Sequence, residues 1–378
     1  MKDPTPRDRS SDWRERWLAL RNGVLASPRF QRLAAAFPLT RPIARARTRA
    51  LFDIVAGFVY SQILLACVQL KVFDLLADGP LSVAALAART GLSEDAARRL
   101  LAAAATLDLT EKCGDDRFAL GRHGAALRGN AGLPDMIAHH ALFYRDLADP
   151  VALLRGEADT ELGRFWAYAG RGAPGSLPPE AVASYSRLMA ATQGFVAEEV
   201  LAAAPLAGRR CLLDVGGGEG AFLSAVAARH PGLSLMLFDL PAVAERARQT
   251  FAAAGLADRV TVRAGDFRTD PLPTGADIVS LVRILHDHDE DTVRTLLAAV
   301  RRALPAGGRV MVAEPMSGAP GAAPLGEAYF GFYLLAMGRG RPRTPGVLCG
   351  LLTAAGFHRP RLVTTRNPVI LQMVIADA

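Results

Sequence analysis

Residues 212–220 read Leu-Leu-Asp-Val-Gly-Gly-Gly-Glu-Gly, and no other segment limits the possible folds of this chain so strongly. An apolar run is broken at once by glycines, and a helix opens behind them. That strand–turn–helix order lets backbone come within contact of a flat or charged ligand that a Cβ would exclude. From Arg209 onward short apolar runs alternate with helical segments, the pattern of βαβ units. The runs are Cys211–Val215, Ser234–Asp239, Val260–Ala264, Asp277–Leu281, Arg309–Ala313, Arg361–Thr364 and Val369–Ile375. They predict a Rossmann-like, doubly wound α/β domain of seven strands, the last two joined as a hairpin through Arg366-Asn367-Pro368.

The glycine turn alone leaves its ligand open, because Gly216, Gly218 and Ala221 also satisfy a dinucleotide fingerprint. Two carboxylates argue against a pyrophosphate: Asp214 precedes the turn and Glu219 sits inside it. Like-charge contact at a few ångströms in a low-dielectric site would cost on the order of several kcal/mol, whereas a sulfonium and an ammonium would be welcomed. The reading is therefore a cationic cofactor, S-adenosylmethionine. The next strand ends at Asp239, nineteen residues past Gly220, where a carboxylate can accept from ribose hydroxyls. A third ends in Gly265-Asp266-Phe267, offering an acceptor for an adenine amine and a ring for its face.

Just beyond the strand Asp277–Leu281 lies Ile284-Leu285-His286-Asp287-His288-Asp289. Ligands of open α/β sheets gather past the carboxyl ends of the strands, which puts His286 where chemistry happens. A helix-start histidine paired with Asp287 or Asp289 is the structural reading, and it suits His288 better. Glu314, after the strand Arg309–Ala313, can bond one imidazole nitrogen of His286 and leave the other to accept a proton.

The first two hundred residues are different in kind, helical almost throughout from Arg45 to Ala204. Within them, residues 81–121 predict a winged helix-turn-helix: Ser82 and Ser93 as N-caps, Gly91 as a stop, and Gly114-Asp115-Asp116 as a hairpin turn. Glu94 and Asp95 open the would-be recognition helix, where they would face phosphates, so a dimerising role is expected. Charge supports this. Of the net +7, residues 1–50 carry a local +8, twelve Lys/Arg against four acids, which leaves the body at −1 and argues against nucleic acid. In that arm Trp13, Trp17, Leu20, Val24 and Leu25 fall near helical spacing among arginines. Such a stripe fits first packing on this chain or a dimer mate, and second a membrane surface.

The four cysteines are scattered, signalling neither disulfides nor a zinc site and pointing to a reducing compartment. No secretory signal is read at the start, and polar residues interrupt Leu51–Leu70, so no span is expected. The expected organisation is a basic amphipathic arm over 1–45, a helical winged-helix domain over 46–204, and the cofactor-binding catalytic domain over 205–378.

Taken in order, DVGGGEG, FDLP (238–241), AGDF (264–267), LHDHDED (285–291) and VAEP (312–315) resemble the caffeic-acid-type, or acetylserotonin-type, O-methyltransferases that use S-adenosylmethionine and release S-adenosylhomocysteine. The likeness covers about residues 50–378. The basic arm, segment 41–76 and segment 329–344 look closer to the branch acting on hydroxyneurosporene or demethylspheroidene in carotenoid synthesis. Carried over, the resemblance implies cofactor contacts from Asp214, Gly216, Gly218, Asp239, Leu240, Asp266 and Phe267, a general base in His286 and its partner in Glu314. Met189, in YSRLMAATQ, matches a methionine near the reactive methyl, and is as readily a core residue.

It further implies a homodimer, a hydrophobic acceptor with a tertiary 1-hydroxyl, and a cytoplasmic enzyme, peripheral on the inner or photosynthetic membrane if the arm binds lipid. Phe143, Tyr144, Phe330, Phe332, Tyr333 and Met337 are candidates to line an apolar channel between the domains, or to be core. Two positions depart from plant relatives: Pro342 replaces a second glutamate and Val282 a lysine, so Glu314 alone would steer His286. A phenol or polyketide acceptor stays open, as does, more remotely, a small-molecule-sensing winged-helix regulator.

Overall fold

The computed structural model describes residues 9–130, 132–166, 179–318, 321 and 324–378. Residues 1–8 of the arm lie outside that set. The chain divides into two compact units, Met1–Gly121 and Arg122–Ala378.

In the first unit the arm folds as helices Arg9–Ala26 and Pro28–Ala36. Pro28 sits in an opening turn, where a missing N–H costs nothing, and Ser27 caps that turn by accepting from Phe30 N at 3.4 Å. Trp13 and Leu20 are 65% and 69% exposed among the described residues, and the apolar side chains of this helix are hardly segregated from its charged ones, unlike the expected stripe. Helix Arg41–Gln69 follows, 29 residues long, with only Leu65 and Cys67 buried. The sequence reading discounted a span here because of its polar residues; by length and composition this helix could cross a membrane.

The winged helix forms as expected. Ser82 accepts from Ala85 N and Ser93 from Ala96 N, each at 3.2 Å, and Gly91 ends the first helix at φ 73°. Strands β1 (Leu81–Ser82), β2 (Thr110–Lys112) and β3 (Arg117–Leu120) make a small antiparallel sheet in the order β1-β3-β2. Arg98 is paired with Asp116, and Arg99 with Asp95 at 3.1 Å.

The second unit is built on β4 (Cys211–Val215), β5 (Ser234–Asp239), β6 (Val260–Ala264), β7 (Ile278–Val282), β8 (Arg309–Glu314), β9 (His358–Val363) and β10 (Gln372–Asp377). Their order is β6-β5-β4-β7-β8-β10-β9, parallel except for β10, which runs antiparallel to both neighbours. Because helices cover both faces, the central strands are apolar on both sides. Leu213 and Val215 join one core with Val293, Leu296 and Leu297, while Leu212 joins the other with Phe222, Val226 and Phe251. Burying each such side chain is worth about 1.5–3 kcal/mol.

Several strand edges shift from expectation, two of them with a visible cause. Asp277 drops out of β7 because its carboxylate ties off backbone N–H groups of Arg210 and Cys211 at 2.9–3.1 Å. Residues 369–371 form a turn instead of strand, held by Ile370 N to Asn367 O and by the Thr365 hydroxyl donating to Leu371 O at 2.6 Å. Strand–helix alternation begins near residue 205, yet the compact unit begins at Arg122: helix Pro179–Ala203 packs on both Gly132–Asp146 and Ala221–Arg229.

Candidate active site

The glycine turn leaves β4 with Gly216 at φ +70°, and a Cβ there would collide with the Ile284 side chain. Gly220 closes the turn at φ +85° directly over the Phe251 ring. Both positions require glycine on two counts, conformation and space. The turn is tied to the next strand by Gly216 N donating to Phe238 O at 2.8 Å and Gly218 N donating to Asp239 Oδ2 at 2.8 Å. Leu240 N donates to the other Asp239 oxygen at 2.7 Å. Two backbone donors thus fix the carboxylate at the lip of a cavity of about 1060 Å³, its mouth included. Met189, Asp214, Gly216, Gly218, Asp239, Leu240, Asp266 and Phe267 all line that one cavity.

Asp214 lies beneath the turn, 1% exposed. The Ser280 hydroxyl donates to its Oδ1 at 2.6 Å, and its Oδ2 is buried without a hydrogen-bond partner among the described residues. Burial pushes this carboxyl up to about 7, against the Ser280 hydrogen bond and helped by the nearby Asp239 charge. Asp239 is pushed up to about 6, again by desolvation, opposed by its two backbone donors. An orphaned buried oxygen beside a second desolvated carboxylate is a donor set that fits a cation.

The electrostatic case against a pyrophosphate loses one of its two members: Glu219 is paired with Arg246, whose Nε lies 2.6 Å from Oε1, and a carboxylate placed like Asp239 belongs equally to the dinucleotide pattern. Asp266 is also less free than expected. Arg268, two residues on, donates to it from Nε and Nη2 at 2.6–3.1 Å and from its backbone N at 3.0 Å. Burial raises the Asp266 carboxyl, but these bonds outweigh burial and hold it below its ordinary range. Any adenine amine would share the carboxylate with Arg268. Phe267 stands edge-on to His288, ring centroids 5.3 Å apart, and both line the cavity.

His286 occupies a short 3₁₀ turn, Leu285–Asp287, past the end of β7. It is behind the cavity wall, its side chain 7% exposed and that of Glu314 fully buried. Glu314 Oε2 accepts from the His286 backbone N at 3.1 Å and lies 3.4 Å from Nδ1. The expectation that Glu314 alone steers the ring is corrected here: Asp287 Oδ1 lies 3.1 Å from Nε2. The reason is the tight turn, which folds the next residue's carboxylate back onto the imidazole. Burial by itself would lower the histidine, but Asp287 and Glu314 outweigh it and raise it to about 9. A carboxylate at each ring nitrogen thus favours the protonated imidazole.

Arg283, Gln193 and Arg268 also line the cavity and were not anticipated. Arg283 ends β7 at φ 59°, a strained conformation for a residue with a Cβ. Its guanidinium reaches Gln193 Oε1 at 3.4 Å and Met189 Sδ at 3.2 Å. Nothing local in sequence announces a left-handed arginine, whereas Arg268 could have been found from its spacing to Asp266. Of the aromatic candidates, Phe143, Tyr333 and Met337 are buried in a core cluster of the second unit, with Phe330 and Phe332 packed at its edge. Tyr333 there bonds His139 at 2.7 Å and accepts from Trp166 Nε1 at 2.8 Å.

Comparison with known proteins assigns this geometry. An O-methyltransferase domain matches residues 144–358, and an O-methyltransferase dimerisation domain matches 52–127, which supports a homodimer. The chain is 51% identical over 355 residues to the demethylspheroidene O-methyltransferase of Cereibacter sphaeroides, covering 93% of each. It is 40% identical over 357 residues to that of Rhodobacter capsulatus, covering 94% of this chain and 88% of the relative. Human N-acetylserotonin methyltransferase, solved in complex with S-adenosylmethionine, superposes with a TM-score of 0.71 at 26% identity over 88% of this chain and 97% of that one. A parallel sheet with a glycine turn at its switch point, two desolvated carboxylates beside it and these matches lead to one assignment: the chain belongs to the S-adenosylmethionine-dependent O-methyltransferases.

Proposed function

We propose that this enzyme methylates the tertiary 1-hydroxyl of an acyclic carotenoid of the hydroxyneurosporene or demethylspheroidene type. What carries this reading is the 51% identity, across 93% of both chains, to a demethylspheroidene O-methyltransferase. S-adenosylmethionine, when bound, supplies a methyl already activated on a sulfonium. Asp239 and Leu240 hold the ribose side of the cavity, Asp266 with Arg268 and Phe267 the adenine side, and Asp214 the field that favours a cation. Gly216 and Gly218 let the backbone close on the ligand, and Met189 stands near the methyl-bearing end. The chain's task is to align the acceptor oxygen and keep water out, and positioning of that kind can supply about 7–11 kcal/mol.

His286 is the general base and Glu314 orients it. A tertiary alcohol is far less acidic than imidazolium, so His286 cannot strip the hydroxyl beforehand; the proton moves to it with, or after, methyl transfer. A long hydrocarbon acceptor gains about 0.8 kcal/mol per CH₂ buried, and it must be drawn from a membrane. The basic arm, with its exposed Trp13 and Trp17, suits a lipid surface, and supports the reading of a cytoplasmic enzyme peripheral on the inner or photosynthetic membrane. The test is transfer of labelled methyl from S-adenosylmethionine to acyclic 1-hydroxycarotenoids and to catechols. The carotenoids should be labelled and the catechols not; label on catechols alone overturns the acceptor class.

A further inference from the structure

His286 is closed in on both sides, and the two closures differ. At Nδ1 stands Glu314 from β8, fully buried, its Oε1 without a hydrogen-bond partner among the described residues. At Nε2 stands Asp287, which alone of the three residues lines the cavity. A base must present a bare nitrogen to the acceptor hydroxyl, and Asp287, which holds Nε2, is the neighbour of the ring that reaches the cavity.

We propose that Asp287 is a positioning residue that clasps His286 Nε2 from the cavity side, competes with the acceptor hydroxyl for that nitrogen, and yields it when the acceptor enters. The proposal rests on the reading of His286 as general base. Protons balance as follows. The Nε2 proton leaves by way of the Asp287 carboxylate to cavity water, and the neutral ring keeps its Nδ1–H toward Glu314. As the new oxygen–carbon bond forms and the methyl–sulfur bond breaks with its electron pair left on sulfur, the acceptor's proton goes to Nε2. One proton is released per turnover.

The charged and titratable groups around the ring leave the assignment to Asp287 and Glu314. Arg343 is 2% exposed and donates to the carbonyls of Leu285 and His288 at 2.6 and 2.8 Å, away from the imidazole. Arg341 meets His286 through its backbone N, at 2.9 Å from the carbonyl, while its side chain pairs with Glu290. His288 is lowered, chiefly by burial, and stays neutral near pH 7. From the facing segment Phe330 packs edge-on at 6.0 Å, and Tyr329 is raised by burial and uncharged.

The test compares wild type, Asp287→Asn, Asp287→Glu and His286→Ala in two measurements. In ligand-free protein, NMR of labelled histidine should show the His286 midpoint falling by about one pH unit or more in D287N, and staying near wild type in D287E, which keeps the carboxylate. In turnover, the acidic limb of kcat/KM should move down with it, so that the ratio of D287N to wild type rises as pH falls, with affinity for S-adenosylhomocysteine unchanged. A D287N limb and midpoint coinciding with wild type, while H286A has lost turnover, overturns the role of Asp287 and leaves the general base standing. Full turnover in H286A overturns both.

Discussion

At the scale of single residues the cavity is governed by protonation. Asp214 and Asp239 are raised to about 7 and about 6 because burial penalises their charge. The folded protein keeps their protons to higher pH than the unfolded chain, so their stabilising contribution is full below about pH 4 and is lost as pH rises through 6 to 7. A bound cation has the opposite preference, since it favours the carboxylates. Binding of S-adenosylmethionine near pH 6.5 should therefore release protons and tighten as pH rises across that range. S-adenosylhomocysteine, without the sulfonium charge, should release fewer. Calorimetry in buffers of different ionisation enthalpy reads this directly, and equal release by both ligands would remove the charge argument. His286 follows the same sign at higher pH: its raised value, about 9, stabilises the fold below about 6.5 and ceases to do so as pH climbs past 9.

Among elements, those specified by local chemistry were the ones legible beforehand. The caps at Ser82 and Ser93, the stop at Gly91 and the strands β4, β5 and β6 follow from residues within a few positions of each other. Where a long-range partner decides, the reading slipped. Asp277 serves β4 across the sheet instead of continuing β7, and Glu219 is claimed by Arg246, twenty-seven positions away. The arm is the element whose role the chain alone leaves unpaired, for its helix Arg9–Ala26 exposes tryptophans beside arginines, one of which, Arg21, stacks over Trp17 at 5.2 Å. Deleting residues 1–40 should abolish co-sedimentation with anionic liposomes and leave dimerisation intact. Retained liposome binding would move the lipid contact elsewhere, with the exposed apolar face of helix Arg41–Gln69 the place to look.

For the molecule as a whole, the cofactor half was readable because a glycine turn and the strand ends after it occur in fixed order along the chain. Every cofactor residue expected from that order lines a single cavity. The proton-handling half was read less completely. His286 and Glu314 meet as anticipated, and His286 also pairs with Asp287 as its structural reading had it, yet Arg283 acts through a left-handed residue that no spacing announces. The account holds that binding and proton removal are separate tasks of separate residues, and His286→Ala separates them most directly. Turnover should fall on the order of 10²–10⁴-fold while the dissociation constant for S-adenosylhomocysteine stays within about twofold. Unchanged turnover with intact cofactor binding would contradict it.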